Sequence, residues 1–169
     1  TDGIIWLLTN GVPPERVVWV RPRDPWMLDR SVVQPDPVVA LGLGADTLEA
    51  AMDAASPDEL FLRLEAAGVM LRVDPDVVPT MAKTPTLGAW ELDLLRTVEH
   101  VVRLGHITGV SAGEIVLERG TVALAPGSLI VHCAASGLHS PPVVPLWNAD
   151  RIRLQTIRVG FPCFCAALA

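Results

Sequence analysis

The chain has 169 residues, of which 50% are hydrophobic and 19% are charged, and its formal net charge is −6. A chain of this size and apolarity can bury the core of one domain, so the composition excludes intrinsic disorder. The negative charge gives no electrostatic basis for binding nucleic acid or an anionic membrane surface. No uninterrupted apolar run is long enough to span a bilayer, and the three cysteines, an odd number, favour a reducing compartment. We therefore expect a cytoplasmic α/β domain.

The first predicted elements are a short helix and a buried strand. The helix begins at residue 1 and ends at Asn10-Gly11, because glycine is favoured just after the last helical turn. Residues 17–20, Val-Val-Trp-Val, are apolar on both faces, as expected of a parallel strand that helices cover on each side. A proline-rich loop follows to about residue 45, and we interpret it as an insertion over a cleft.

The middle of the chain predicts three helices and one strand. Residues 46–55 carry apolar side chains at helical spacing. The stretch SPDELFLRLEAAG has a capping box at Ser56–Glu59 and a terminating glycine, Gly68, so it predicts a second helix. Residues 69–73 predict a strand, and residues 87–98 predict a third amphipathic helix.

From residue 101 onward the pattern changes from helix to strand. The runs VVRLGHITGV, EIVLERG and TVALAPG are short and separated by glycines, which is typical of a three-stranded meander. Leu129–Val131 then predicts a buried strand that leads into a turn of small residues, "AASG". Helical crossovers imply parallel strands with right-handed connections. The predicted fold class is α/β, a Rossmann-like parallel sheet in which a β-meander serves as one crossover.

This order resembles the NADP-binding domain of flavoproteins with two dinucleotide-binding domains, such as pyridine-nucleotide-disulfide reductases and flavin-containing monooxygenases. DGIIWLLTNGV, VVWVRPRDPWMLDR, VVRLGHI, LIVHCAASGL and RIRLQTIRVGFPCFCAAL look like FAD/NAD(P)-dependent oxidoreductases of high-GC bacteria. In that superfamily a meander joins the third and fourth parallel strands, and the fourth ends in a small-residue turn, where HCAASG stands here.

The resemblance also implies missing parts. The glycine-rich turn G-x-G-x-x-G/A, which lets the backbone approach a pyrophosphate, does not occur before the first helix. We therefore expect a fragment truncated at both ends. Residues 1–137 would form the NAD(P)-binding domain, with a loop and helical insertion at about 25–98. Residues 138–169 would return toward an absent FAD-binding domain.

Two arginines, Arg21 and Arg23, follow the predicted strand 17–20, the second strand in this order. Arginine at this place accommodates the 2′-phosphate of NADP, whereas an acidic residue accepts a hydrogen bond from the 2′-hydroxyl of NAD. Two bidentate guanidinium groups suit a phosphate dianion, so they predict NADP(H) binding. Two alternatives stay open. The arginines pair with Asp24 and Asp29 to fix the loop, or Asp24 is the ribose ligand and favours NAD.

A second predicted dinucleotide contact is the turn Ala134, Ala135, Ser136 and Gly137, because small residues allow close backbone approach. A plain turn between strand and helix is the alternative. Trp26 either stacks on the adenine or packs within its loop, and packing is favoured.

No metal site is predicted. Cys163-x-Cys165, with His132-Cys133 elsewhere, is poor evidence for zinc, since structural zinc takes about four ligands. Buried small cysteines are the favoured interpretation.

No catalytic residue is predicted either. The stretch GVSAG around Ser111 lacks the G-x-S-x-G spacing of a hydrolase elbow. Three histidines have no nearby carboxylate or nucleophile in a catalytic arrangement: His100, His106 and His139. This absence agrees with flavoprotein chemistry, in which the cofactor reacts and the protein orients it.

The resemblance implies the NADP(H)-binding part of an FAD-dependent oxidoreductase, in which hydride passes from NADPH to the flavin. FAD would be bound mainly by parts outside this sequence. Reductase and monooxygenase outcomes both stay open, the small-molecule substrate is not identified, and a homodimer is left open. The alternative function is a non-catalytic Rossmann-like module that binds a nucleotide or a partner as sensor or scaffold.

Overall fold

The computed structural model describes residues 1–133, 145 and 147–150 of a chain that divides into two units, Thr1–Ser128 and Leu129–Ala169. Its α-helices are α1 (Asp2–Thr9), α2 (Pro37–Asp53), α3 (Pro57–Ala66) and α4 (Ala89–Arg96), with 3-10 turns at Pro14–Arg16 and Arg30–Val32. Its strands are β1 (Trp19–Val20), β2 (Pro25–Asp29), β3 (Met70–Leu71), β4 (Met81–Leu87), β5 (Val101–Val102), β6 (Ile107–Val110), β7 (Glu114–Leu117) and β8 (Gly120–Ala123). The mixture of helices and strands confirms the α/β class. No helix in the described part of the chain is long and apolar enough to cross a bilayer.

A parallel pair, β1 and β5, joins the start of the chain to its middle. Trp19 lies beside Val101, and Val20 lies beside Val102. The Arg21 N–H extends this ladder by donating to the Val102 carbonyl at 2.9 Å. The predicted strand at 17–20 is therefore confirmed at its second half, and β5 is its parallel neighbour among the described residues.

The two faces of this pair contact different cores, because successive side chains of a strand point to opposite faces. Val20 and Val102 pack with Ile115 and Leu117 of the meander. Trp19 packs on the other side, against a cluster that includes buried side chains of α1 and α4. Helix α4, which the sequence predicted over 87–98, is thus confirmed and covers the pair.

Residues 25–87 form a small sheet with two helices against it. β2 is central, antiparallel to β3 and parallel to β4, with a register shift between Met27 and Leu28. The strand predicted at 69–73 is confirmed only for Met70–Leu71, and it pairs within this sheet rather than with β1. A separate core of Ala50, Leu64 and Val69 holds α2 and α3 together.

The long loop predicted to run to residue 45 is wrong. β2 begins at Pro25, and α2 begins at Pro37, nine residues before the predicted helical start at 46. The Asp36 carboxylate accepts from the Val38 N–H at 2.7 Å, and Pro37 supplies a backbone angle suited to the first helical turn. These signals are local, but the four prolines from residue 22 to residue 37 are also typical of a loop, and for that reason the helix start was missed.

The capping of α3 is confirmed with one change of partner. The Ser56 hydroxyl accepts from the Glu59 N–H at 3.2 Å, as a capping box requires. The Glu59 carboxylate accepts from the N–H of Ala55, the residue before the N-cap, at 2.9 Å rather than from the N–H of Ser56 itself. Gly68 follows the helix with a φ of 77°, a conformation that glycine adopts without steric cost.

The antiparallel meander β6-β7-β8 is confirmed. The first predicted run divides, however, because Val101–Val102 belongs to the parallel pair and only Ile107–Val110 to the meander. Gly105, with a φ of 85°, lies at the change of direction between them.

The buried strand predicted at Leu129–Val131 is wrong. These residues form no strand, all three are exposed, and Leu129 is 86% exposed. An apolar run becomes a buried strand only when a neighbouring strand and a covering layer are present, and no strand of the described residues pairs with it.

Candidate functional site

A cleft of about 370 Å³ lies beside the parallel pair. Arg21 follows β1 directly and Arg103 follows β5 directly, and both line the cleft together with Trp19 and Val101. Strand alternation places these four side chains on one face of the pair. Two adjacent parallel strands therefore each deliver a guanidinium group at their carboxyl ends, which is where open α/β sheets bind ligands.

Two aspartates hold these arginines in one ionic network. The Arg21 Nη2 lies 3.0 Å from Asp24 Oδ1, and the Arg103 Nε lies 2.9 Å from Asp24 Oδ2. The Arg103 Nη2 also contacts Asp74 Oδ2, at 2.5 Å. Asp24 is 9% exposed and Arg21 is 5% exposed, so the centre of the network is buried. The network fixes the turn between β1 and β2.

Arg21 is incompletely satisfied in this position. Its guanidinium carbon lies 4.5 Å from the centroid of the Trp19 ring, a favourable cation–π geometry. Its Nε and Nη1 atoms are buried and have no hydrogen-bond partner among the described residues. Burial lowers the pKa of Arg21, and the nearby Asp24 carboxylate opposes that effect. Because an arginine side chain is not deprotonated in proteins, the guanidinium stays charged.

Two further members of the network, Arg103 and Asp74, are held in their ionised forms. The hydrogen bond to Asp24 raises the pKa of Arg103 against the opposing effect of burial. Burial by itself would raise the pKa of Asp74, but hydrogen bonds from the Asp76 N–H and from Arg103 lower it. The Asp76 N–H donates to Asp74 Oδ1 at 3.0 Å.

Arg23 lies in a different environment from Arg21. Its side chain is exposed and has no hydrogen bond or ion pair with the described residues. Asp29 pairs with neither arginine and instead accepts from the Ser31 N–H at 2.7 Å. The loop-fixing ion pair considered in the sequence thus forms for Arg21 with Asp24, and Arg23 is left available to a ligand. The buried Asp24 carboxylate, already bound to two arginines, is poorly placed to accept from a ribose.

Trp26 does not face a ligand. It is buried and stacks on Phe61, with ring centroids 5.6 Å apart and planes 12° apart. The Arg72 guanidinium lies 5.5 Å from its ring centroid. Packing, the favoured interpretation, is confirmed, and adenine stacking by Trp26 is wrong.

Arg103 and Asp74 are the site residues that sequence reasoning missed. Arg103 stands directly after a strand, the same signal that drew attention to Arg21. The signal was overlooked because the whole run from residue 101 was assigned to the meander. Asp74 follows an edge strand of another sheet, so only the tertiary structure brings it to Arg103.

Several predicted positions lie outside the described residues, namely Ala134, Ala135, Ser136, Gly137, His139, Cys163 and Cys165. Cys133 is described and is exposed, so the expectation of a buried cysteine is wrong for it. Among the described residues, no group of three or more potential ligands could hold a metal ion.

His106 has a neighbouring carboxylate. Its Nδ1 lies 3.3 Å from Glu118 Oε1, and its backbone N–H donates to the same carboxylate at 3.0 Å. That backbone hydrogen bond lowers the pKa of Glu118. The pair is exposed and links the start of β6 to the residue that follows β7.

The chain is 41% identical over 170 residues to uncharacterized proteins of Mycobacterium bovis and of two strains of Mycobacterium tuberculosis. Each alignment covers 98% of this chain and 32% of the relative, so the chain spans about a third of the length of the curated relatives it matches. No family model matches the chain, and no solved structure matches it. The relatives are bacterial, and their names state no activity.

Proposed function

We propose that this chain is the NADP(H)-binding part of an FAD-dependent oxidoreductase. The observation that carries the proposal is that Arg21 and Arg103 end two adjacent parallel strands and face one cleft. Crevices at the carboxyl ends of parallel strands are where nucleotides bind in doubly wound sheets. In the proposed enzyme NADPH supplies hydride to the flavin, and the flavin carries the chemistry toward a small-molecule substrate.

The connections between elements support a Rossmann-like sheet. Between β1 and the parallel strand β5 the chain passes through the small sheet and helices of residues 25–87 and then through α4, and the antiparallel meander follows directly. This is the order of the NADP-binding domain that the sequence resembles. Helix α1 precedes β1, and its buried Ile5 shares a core with Leu92 and Leu95 of α4. Both helices thus share one core with Trp19, on one side of the parallel pair.

Within this proposal the two predicted arginines have different roles. Arg23 does not line the cleft, but it lies two residues after Arg21, is exposed and is unpaired among the described residues, so we assign the 2′-phosphate of NADP(H) to it. Arg21 is held by Asp24, and its ion pair fixes the backbone that presents Arg23. The charged guanidinium of Arg21 adds positive potential to the cleft that it lines. No described residue is assigned to FAD, which we expect other parts of the protein to bind.

The alternative is a non-catalytic nucleotide-binding or scaffold module. The mutual pairing of Arg21, Asp24, Arg103 and Asp74 favours it, since ion pairs within the network stabilise a turn without any ligand. Purified full-length protein distinguishes the two functions. A yellow protein whose flavin absorbance is bleached by NADPH supports the oxidoreductase. A colourless protein that does not oxidise NADPH supports the module.

The phosphate role is tested by comparing two ligands that differ in one group. We expect the chain to bind 2′,5′-ADP about 10- to 100-fold more tightly than 5′-AMP in calorimetric titrations, because charged hydrogen bonds contribute about 1.5–3 kcal/mol. Arg23→Ala should abolish this preference. Arg16→Ala is the matched control, since Arg16 is an exposed arginine at the opposite end of β1. Equal affinity for both ligands, or an unchanged preference in Arg23→Ala, contradicts the proposal.

A further inference from the structure

A third arginine of the cleft, Arg96, is held in place without a carboxylate. It is the last residue of α4. Its Nε donates to the Val73 carbonyl at 3.0 Å, and its Nη2 donates to the Arg72 carbonyl at 2.9 Å. No ion pair among the described residues includes Arg96. The side chain is therefore fixed by neutral acceptors, and these leave its positive charge uncompensated.

The contacts of Arg96 leave part of its guanidinium open. A guanidinium group has five N–H donors in a planar fork, and the two carbonyls take one from Nε and one from Nη2. The other donors, two on Nη1 and one on Nη2, have no acceptor among the described residues, and the residue is exposed. Nη1 and Nη2 together can bind a phosphate with two parallel hydrogen bonds. Unlike Arg21, whose unpaired atoms are buried, Arg96 is accessible to a ligand.

The other two arginines of the cleft are neutralised. Arg21 pairs with Asp24, and Arg103 pairs with Asp24 and Asp74, so this network holds two positive and two negative charges. Apolar side chains form much of the remaining wall, namely Val73, Leu95, Val98 and Val101. A mostly apolar cleft with one uncompensated cation suits a ligand that has a ring and an anionic group.

We propose that Arg96 binds the 5′-phosphate of the adenosine half of the nucleotide, which in NADP(H) is part of the pyrophosphate. This inference rests on the proposed function, in which Arg23 takes the 2′-phosphate. The two arginines then bind different phosphates of one adenosine, Arg96 from within the cleft and Arg23 from outside it. The cleft volume of about 370 Å³ is near the lower end for small-molecule pockets, so it suits one half of a dinucleotide.

Glu99 gives an independent test of where the phosphate lies. It is exposed, it lines the cleft three residues after Arg96, and no ion pair among the described residues includes it. A carboxylate beside a bound phosphate weakens binding through like-charge repulsion. Removing the charge of Arg96 and removing the charge of Glu99 should therefore change the affinity for a 5′-phosphate in opposite directions.

Three adenine nucleotides separate the two phosphate contacts. 2′,5′-ADP carries both phosphates, 2′-AMP lacks the 5′-phosphate, and 5′-AMP lacks the 2′-phosphate. In calorimetric titrations of the full chain we expect 2′,5′-ADP to bind about 10-fold more tightly than 2′-AMP, because a charged hydrogen bond at an exposed site contributes at the lower end of its usual range. Arg96→Gln should abolish this preference and keep the preference over 5′-AMP. Arg23→Ala should do the reverse.

Glu99→Gln keeps the inference testable even if Arg96→Gln disturbs the fold. It should strengthen the binding of 2′,5′-ADP by roughly threefold and leave that of 2′-AMP unchanged, because it removes a like charge. A loss of structure cannot produce such a gain. The matched controls are Arg63→Gln, in the last turn of α3, and Asp93→Asn, exposed on α4 and outside the cleft. Both should bind like the unmodified chain.

The outcomes distinguish this inference from the proposed function. An unchanged preference for 2′,5′-ADP over 2′-AMP in a folded Arg96→Gln variant overturns the inference, and so does a Glu99→Gln variant that gains no affinity. If the unmodified chain prefers 2′,5′-ADP over 5′-AMP but not over 2′-AMP, the Arg96 role fails and the proposed function stands. If the chain binds none of the three nucleotides, both fail.

Discussion

Replacing Asp24 by alanine is expected to destabilise the fold strongly through Arg21. Asp24 is the ion-pair partner of Arg21, whose Nε and Nη1 atoms already have no acceptor among the described residues. After the substitution the Nη2 atom loses its acceptor as well. Arg103 suffers less, because it keeps Asp74 and its side chain is 32% exposed. The cost therefore falls mainly on one buried cation.

The magnitude follows from the burial of the pair. Removing one partner of a buried ion pair costs about 3–5 kcal/mol, and we expect the lower end because the Trp19 ring still faces the guanidinium. A domain has a free energy of unfolding of about 5–15 kcal/mol, so this loss is a large fraction of it. With a urea dependence of about 2 kcal/mol per molar, the unfolding midpoint should fall by about 1.5 M.

Urea unfolding followed by tryptophan fluorescence measures this shift. Arg63→Ala is the control, since the Arg63–Glu59 pair at 2.7 Å is exposed and should change the midpoint little. The double variant Arg21→Met with Asp24→Leu should recover most of the lost stability, because apolar residues of similar volume replace buried ion pairs well. A midpoint for Asp24→Ala that matches Arg63→Ala would refute the reasoning. So would a double variant as unstable as Asp24→Ala.

Two further predictions concern Asp74 and Gly105. The folded-state pKa of Asp74 is lowered, so its stabilising effect is complete above the unfolded value near 4 and is lost as the pH falls through the lower folded value. Asp74→Asn should therefore reduce the free energy of unfolding at pH 7 and make it fall less steeply below about pH 4. Unfolding titrations at several pH values measure this, and an unchanged dependence on pH would contradict the prediction. Gly105→Ala should lower the melting temperature, because φ is 85° and the added Cβ lies 2.9 Å from that of Glu118. The left-handed backbone alone costs about 1–2 kcal/mol for a residue with a Cβ. Gly113→Ala is the control, because a Cβ at that position meets no neighbour within 4 Å. Equal melting temperatures for the two variants would contradict this prediction.

Local signals predicted the elements that are stabilised locally. Helix α3 was found because Ser56 and Glu59 satisfy its first N–H groups within four residues of chain. The meander was found because its glycines and its alternating apolar residues are close in sequence. Helix α2 was placed too far along the chain, although Asp36 and Pro37 carry a start signal, because neighbouring prolines suggested a loop.

Burial of an apolar run was not predictable in the same way. Leu129–Val131 has the composition of a buried strand, yet its residues are exposed. Helix α2 likewise carries apolar residues at the spacing of a core-facing helix, yet these are exposed, namely Val38, Leu41, Leu48 and Met52. In both cases the local pattern shows that the side chains are suited to burial. Whether they are buried depends on the elements that pack beside them.

The sequence by itself determined that a buried strand precedes Arg21 and that a meander lies after residue 101. Only the tertiary structure decided that Arg21 is buried in a network while Arg23 is exposed. The partners explain why, since Asp24 and Arg103 are 79 residues apart and meet only because β1 and β5 pair in parallel. Hydrogen bonds within a turn are encoded by neighbouring residues. An ionic network at the ends of two strands depends on which strands pair, and that depends on the packing of the whole domain.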